Sequence, residues 1–176
     1  MLFFEIRANF WQNKRKVFLK MITFDRWQHI LGVARKAKIL ALRLRSNDEK
    51  FAEDMFLLGV MHDLGYEFNE GNASHGAIGG EILKRNHYKY WQEVALHGDE
   101  TVENMPDELF LLNSADMTTG PKGEDFSFEE RLEEIAERFG KDSHAYQKCV
   151  TEVEKLKADK RFETIKKNCV HDRLEI

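Results

Sequence analysis

Residues 55–65 read MFLLGVMHDLG, an apolar run that closes with a histidine, an aspartate and a glycine. Because the run is apolar on all sides of a helix, it predicts a helix over about 48–64 that is buried on most of its surface and ends at Gly65. Asp63 then lies at the carboxyl end of a buried helix, where the helix dipole and burial both disfavour an ionised carboxylate. A bound cation removes both penalties, so we predict that Asp63 binds a metal ion with the imidazole of His62 beside it.

A second aspartate repeats this arrangement farther along the chain. Asp116 follows the apolar run LFLL at 109–112, again at the end of a predicted helix. His29 lies on an amphipathic helix predicted over about 24–45. Two buried carboxylates at helix ends, with histidines on other helices, are typical of a metal site built from hard and borderline ligands.

The remaining sequence predicts an all-α fold, a bundle of about six to seven helices. The chain has 176 residues, 42% of them hydrophobic, with only two prolines and eleven glycines. The glycines Gly76, Gly79 and Gly80 predict close approach of a neighbouring backbone. Hydrophobic spacing and capping signals predict further helices over about 77–85, 88–97, 107–117, 127–139 and from 143 to about 165.

The predicted organisation is a single domain, 23–176, preceded by an N-terminal extension, 1–22, that is expected to be helical. Residues 1–45 carry a net charge of +9 and the remainder −13, a distribution that we attribute to solvated helix faces. No run of eighteen apolar residues predicts a membrane span. Cys149 and Cys169 stand far apart without a CxxC motif, which argues against disulfides and thiolate metal sites and leads us to expect a cytoplasmic location.

The ordered set formed by His29, His62, Asp63 and Asp116 resembles the H…HD…D signature of the HD superfamily of metal-dependent phosphohydrolases. The resemblance covers roughly 23–120, and the sequence beyond matches only as a helical continuation. It implies an all-helical domain in which these four residues hold a divalent metal ion. The matching segments are RWQH at 26–29, LLGVMHDLG at 57–65 and LLNSAD at 111–116.

Two further histidines fall where the two-metal members of this superfamily carry extra ligands. His75, in SHGAIGG at 74–80, is similar to a ligand of the HD dinucleoside tetraphosphatases, and His97 falls in the next such interval. The resemblance implies that these histidines and one oxygen of Asp63 hold a second metal. A single-metal site with structural histidines remains the alternative. The first metal would be held by His29, His62, Asp63 and Asp116.

The resemblance also implies a reaction, the hydrolysis of a phosphate ester or anhydride in a small, nucleotide-like substrate. A metal-bound hydroxide would be the nucleophile, with Asp63 and Asp116 as the residues assigned to catalysis. The expected cofactor is one or two divalent transition metals, iron first, with manganese, cobalt, zinc and nickel as alternatives. We expect Arg26, one helical turn before His29, and Lys122, in a glycine-flanked loop, to bind the substrate phosphate.

Two other functions fit the same residues. The ligand set also resembles that of the mixed-valent di-iron HD oxygenases, such as myo-inositol oxygenase and its phosphonate-cleaving relatives. The other alternative is a metal-bearing regulatory module without turnover. Nucleic acid is not an expected partner, because the basic residues are spread over helices without an aromatic stacking platform. A homo-oligomer is left open, and His87 and His144, in polar surroundings, are expected at the surface.

Overall fold

The computed structural model describes residues 22–68 and 74–168, so Cys169 and nearly all of the predicted extension lie outside the described residues. Within these ranges the chain forms eight α-helices, one 3-10 turn and no strand, which confirms the predicted all-α fold. No helix in them combines the length and the apolar character that crossing a membrane requires. The elements are α1 (Phe24–Leu44), α2 (Glu49–Met61), the 3-10 turn (Leu64–Phe68), α3 (His75–Arg85), α4 (Trp91–Leu96), α5 (Asp107–Asp116), α6 (Phe128–Phe139), α7 (His144–Ala158) and α8 (Lys160–Lys167).

The two long helices α1 and α2 pack closely against each other. A Cβ atom added at Gly59 would lie 2.5 Å from the Cα atom of Ala34, so only glycine lets the two backbones approach this far. On α2, Met55 and Leu58 are fully buried, whereas Leu57 is 47% exposed. The apolar run is therefore buried against α1 and the core but not on every side.

α2 ends at Met61, three residues earlier than predicted, and the chain turns into the 3-10 segment. The backbone NH of Tyr66 donates to the carbonyl of Asp63 at 3.0 Å within this turn. Gly65 lies against the start of α3, because a Cβ atom there would be 1.8 Å from the carbonyl oxygen of His75. This contact places His62 and Asp63 directly beside the first residue of α3.

α3 begins at His75, two residues before the predicted start, and its glycines make the predicted close approaches. A Cβ atom at Gly80 would lie 2.5 Å from that of Ala95, and one at Gly76 would lie 3.0 Å from the carbonyl oxygen of Val94. Both neighbours belong to α4, so the glycines on one side of α3 let the end of α4 pack against the beginning of α3.

The carboxyl-terminal part of the chain adds three helices to the core. Ser127 and Glu130 form the predicted capping box at the start of α6, and Gly140 ends that helix. The prediction of one last helix from 143 to about 165 is wrong, because the chain breaks into α7 and α8 at Asp159. Asp159 is extended, with ψ 132°, and its carboxylate accepts a hydrogen bond from the backbone NH of Arg161, which starts a new helix there.

Candidate metal centre

Five helices bring the six predicted ligands together at one end of the bundle. The candidate ligand atoms fall into two groups, and within each group they lie within 4.8 Å of one another. The first group draws on α1, the end of α2 and the end of α5, while the second draws on the end of α2, the start of α3 and the end of α4. The groups are His29, His62 and Asp116, and Asp63, His75 and His97.

Asp63 stands between the two groups and faces both. Its Oδ2 atom lies 3.4 Å from Nε2 of His62 and 4.0 Å from Nε2 of His29. Its Oδ1 atom lies 3.3 Å from Nε2 of His75 and 3.9 Å from Nε2 of His97. One carboxylate thus offers a separate oxygen to each set of imidazoles, which is the arrangement a shared ligand of two metal ions requires.

Three of the histidines are oriented by backbone carbonyl groups. Nδ1 of His29 lies 3.0 Å from the carbonyl oxygen of Gly120, and Nδ1 of His97 lies 2.6 Å from that of Val94. His62 makes the same contact at 2.7 Å with a carbonyl of its own helix. Because a carbonyl oxygen only accepts hydrogen bonds, each Nδ1 carries a proton, and Nε2 is the nitrogen that can bind a metal ion. In the cluster, Nε2 of His29 lies 3.1 Å from Oδ1 of Asp116, and Nε2 of His97 lies 3.0 Å from Nε2 of His75.

One imidazole nitrogen makes no hydrogen bond with the described residues, although Oδ2 of Asp63 lies 3.4 Å from it. Nε2 of His62 is buried and makes no hydrogen bond within the described part of the chain. A buried polar atom without a partner costs roughly 1–3 kcal/mol, and a metal ion would remove that cost. Together with a donor set of four imidazoles and two carboxylates, this orphaned atom fits a divalent transition metal.

The charge states of the cluster also suit cations. Burial raises the pKa of Asp63, but His62, a hydrogen bond from His75 and the charge of Arg26 outweigh it and hold that pKa well below the usual carboxyl range. For Asp116, burial is likewise outweighed, chiefly by His29, so its pKa is also low. The buried carboxylate of Asp63 and the half-buried carboxylate of Asp116 therefore stay ionised and favour positive charge between them.

A loop after α5 holds His29 in place. The buried ammonium group of Lys36 donates to the carbonyl oxygen of Thr118 and lies 3.0 Å from a carboxylate oxygen of Asp125. Gly123 has a φ of +80°, and a Cβ atom there would lie 2.6 Å from a backbone oxygen of α1. These contacts press the loop onto α1, which sets the carbonyl oxygen of Gly120 against His29.

The two predicted phosphate-binding residues have different surroundings. Nη1 of Arg26 donates to Oδ2 of Asp63 at 2.8 Å, and its guanidinium group lies 4.3 Å from the centre of the Tyr66 ring. Tyr66 in turn stacks on His75 with a centroid distance of 4.1 Å. Arg26 is thus fixed beside the candidate ligands, whereas Lys122 is exposed and does not line the cavity next to them.

A cavity of about 430 Å³ opens in front of the cluster and is bounded on its far side by α6 and α7. Three cationic side chains of these helices line it, namely Arg131, Arg138 and Lys148. Sequence reasoning did not single them out, although residues 131, 135 and 138 share one side of a helix. The same spacing is also typical of a solvated helix face. Only the packing of α6 over the cavity shows that these residues line the cavity instead.

Comparison with known proteins gave one match. A family model described as HD domain matches residues 26–161, which include all six candidate ligands and the helices that line the cavity. Neither the curated proteins nor the solved structures contain a match to this chain. His87 and His144, which were expected at the surface, are both exposed, and neither belongs to the two groups of candidate ligands.

Proposed function

Because the chain belongs to the HD domain family, we propose that it is a metal-dependent phosphohydrolase that uses two divalent ions to cleave a phosphate ester or anhydride of a small, nucleotide-like substrate. The observation that carries this proposal is the position of Asp63, whose two oxygens face two separate sets of imidazoles. A carboxylate in that position can be shared between two ions, as two-metal hydrolytic sites need.

The residues divide naturally between the two ions. His29, His62 and Asp116 would hold one ion and His75 and His97 the other, with Asp63 common to both. Bound divalent metal supplies an activated water and neutralises charge on a phosphoryl group. We propose iron as the native metal, with manganese, cobalt, zinc or nickel as substitutes, because imidazole and carboxylate ligands suit all of them.

Arg26 is proposed to bind the phosphate that reacts. Its guanidinium group donates to Asp63 with one nitrogen, and the cation has further donors that can reach a phosphate beside the metals. Tyr66 packs on one side of the guanidinium group and limits the directions in which those donors can point. A residue that orients a phosphate in this way contributes through position rather than through covalent chemistry.

The cavity supports a phosphorylated substrate. Four cationic side chains line it, and a volume of about 430 Å³ lies within the usual range for small-molecule sites. Phe139, at the cavity, is 54% exposed and offers an aromatic surface on which a base could stack. The cationic side chains are Arg26, Arg131, Arg138 and Lys148.

A screen of phosphate esters and anhydrides tests the proposal. Protein purified without oxygen should be loaded with iron or manganese and incubated with nucleotides under nitrogen, with phosphate release as the readout. A hydrolase releases phosphate without oxygen, whereas an oxygenase needs oxygen and consumes it. Release under nitrogen that disappears with EDTA is the expected result. Product that forms only with oxygen uptake would instead favour the di-iron oxygenase.

A further inference from the structure

The face of α6 that lies over the cavity carries two arginines with unequal surroundings. Residues 131, 135, 138 and 139 all line the cavity, as their spacing on one side of a helix allows. Arg131 is only 11% exposed, and its Nε atom is buried with no hydrogen-bond partner in the described residues. That nitrogen is out of reach of another molecule, and Nη1 already donates to Glu134, so Nη2, which makes no hydrogen bond within the described residues, is the donor that Arg131 can offer to a ligand.

The local charge balance leaves this wall positive. Arg131 donates to one oxygen of Glu134, and Nε of Arg138 lies 3.0 Å from the other, so a single carboxylate serves two guanidinium groups. Lys148, on the neighbouring face of α7, lies 3.1 Å from a carboxylate oxygen of Glu100. Glu152, on the same face, adds little negative charge, because burial raises its pKa to about 8.

These cations belong to helices that supply none of the candidate ligands, although the charge of Arg131 helps to lower the pKa of Asp116. Every ligand comes from α1 to α5 and their ends, whereas the three cations come from α6 and α7. Neither helix supplies a metal ligand, yet both line the same cavity as Asp63 and Asp116. A single phosphate at the metals would already have Arg26 beside it. The cations of α6 and α7 are therefore in excess of what one phosphate needs.

We propose that Arg131, Arg138 and Lys148 form a second anion subsite, and that the substrate carries a second phosphate group which binds there while the first lies at the metals. A phosphate offers three acceptor oxygens, which suits three cations that line one cavity better than a carboxylate does. This inference rests on the proposed phosphohydrolase function, and it narrows the substrate class to molecules with two phosphates separated along their length.

Binding of non-hydrolysable phosphonates tests the subsite without needing turnover. The probes are alkyl bisphosphonates with spacers of increasing length, each compared with the monophosphonate of the same length, titrated calorimetrically into manganese-loaded full-length protein. At least one bisphosphonate should bind about tenfold more tightly than the monophosphonate of the same length, because one additional charged hydrogen bond contributes about that much affinity. Equal affinities for every pair would overturn the proposal.

Variants assign the preference to residues. Lys148→Met and Arg138→Met should reduce the ratio of the two affinities by about tenfold. Arg131→Lys keeps the positive charge of the buried side chain. It should still reduce the affinity ratio, because lysine lacks the planar, forked donors of the guanidinium group. The matched controls Arg35→Met and Lys157→Met lie outside the cavity and should leave the ratio unchanged.

The failures of the two proposals can be told apart. If the three subsite variants weaken mono- and bisphosphonates equally, or no more than the controls do, the second subsite is wrong even when the enzyme hydrolyses phosphate esters. If the bisphosphonate preference is present and is lost in the variants while no phosphate ester is cleaved, the subsite stands and the proposed hydrolase function fails.

Discussion

Glu152 is a buried carboxyl group whose titration should make the protein less stable as the pH rises. The side chain is on α7, and its residue is 3% exposed. Burial first, and then the negative charge of Asp116, raises its pKa from 4.5 to about 8. The folded protein therefore holds a proton on Glu152 that the unfolded chain releases at neutral pH.

The sign and size of the effect follow from that shift. The pKa of Glu152 is higher in the folded protein than in the unfolded chain. Its contribution to the free energy of unfolding is therefore fully present below about pH 4.5 and is lost as the pH rises to about 8. At 1.36 kcal/mol for each pKa unit, the loss is about 1 kcal/mol at pH 5 and about 3 kcal/mol at pH 7. These are upper values, since water that enters beside an ionised carboxylate lowers the cost.

Glu152→Gln removes the charge and keeps the size of the side chain. In EDTA-treated protein, where no bound cation lowers the pKa of Glu152, urea unfolding should give the variant about 2–3 kcal/mol more stability than the wild type at pH 7. At pH 5 the difference should be about 1 kcal/mol or less. The control Glu154→Gln, on an exposed part of the same helix, should change stability by less than about 0.5 kcal/mol at either pH. A gap between wild type and Glu152→Gln that does not widen with pH would refute the reasoning.

Three further outcomes are expected. His75→Ala and His97→Ala should each lower the bound metal from two equivalents towards one in elemental analysis; full metal content and activity in both would make these histidines structural. Arg26→Ala should lower kcat/KM on the best substrate by about tenfold or more with no loss of metal, and unchanged kinetics would remove it from the substrate site. Gly65→Ala should lower the free energy of unfolding by about 1–3 kcal/mol and weaken metal binding, because the added Cβ atom would meet the carbonyl oxygen of His75. A variant with wild-type melting and metal content would contradict that contact.

The sequence could indicate Asp63 and Asp116 because each stands at a point of local conflict, whereas His75 and His97 are indicated only by the resemblance to the two-metal members of the HD superfamily. A carboxylate such as Asp63, at the carboxyl end of an apolar helix, is unfavourable unless something compensates its charge. The structure brings all six predicted ligands into two adjacent groups. The close approaches made by Gly76 and Gly80 could also be predicted, since a glycine inside a helix needs a packing reason.

What could not be predicted depends on contacts between distant segments. The break at Asp159 arises because its carboxylate caps a new helix, and the hydrophobic spacing alone continues straight through it. Arg131 is part of a sequence, ERLEEIAERF, that fits a solvated helix face equally well. Its burial over the cavity follows from how α6 packs on α7, which no local pattern contains.

Metal analysis of Asp63→Ala tests the central claim most directly. Protein and variant are purified without oxygen, loaded with iron or manganese, and measured for bound metal together with phosphate release. Since Asp63 faces both groups of imidazoles, its removal takes a ligand and a negative charge from each ion. The wild type should hold two equivalents of metal, and the variant should lose most of both the metal and the activity while its helical circular dichroism persists. A variant that keeps its metal and its turnover would contradict the account.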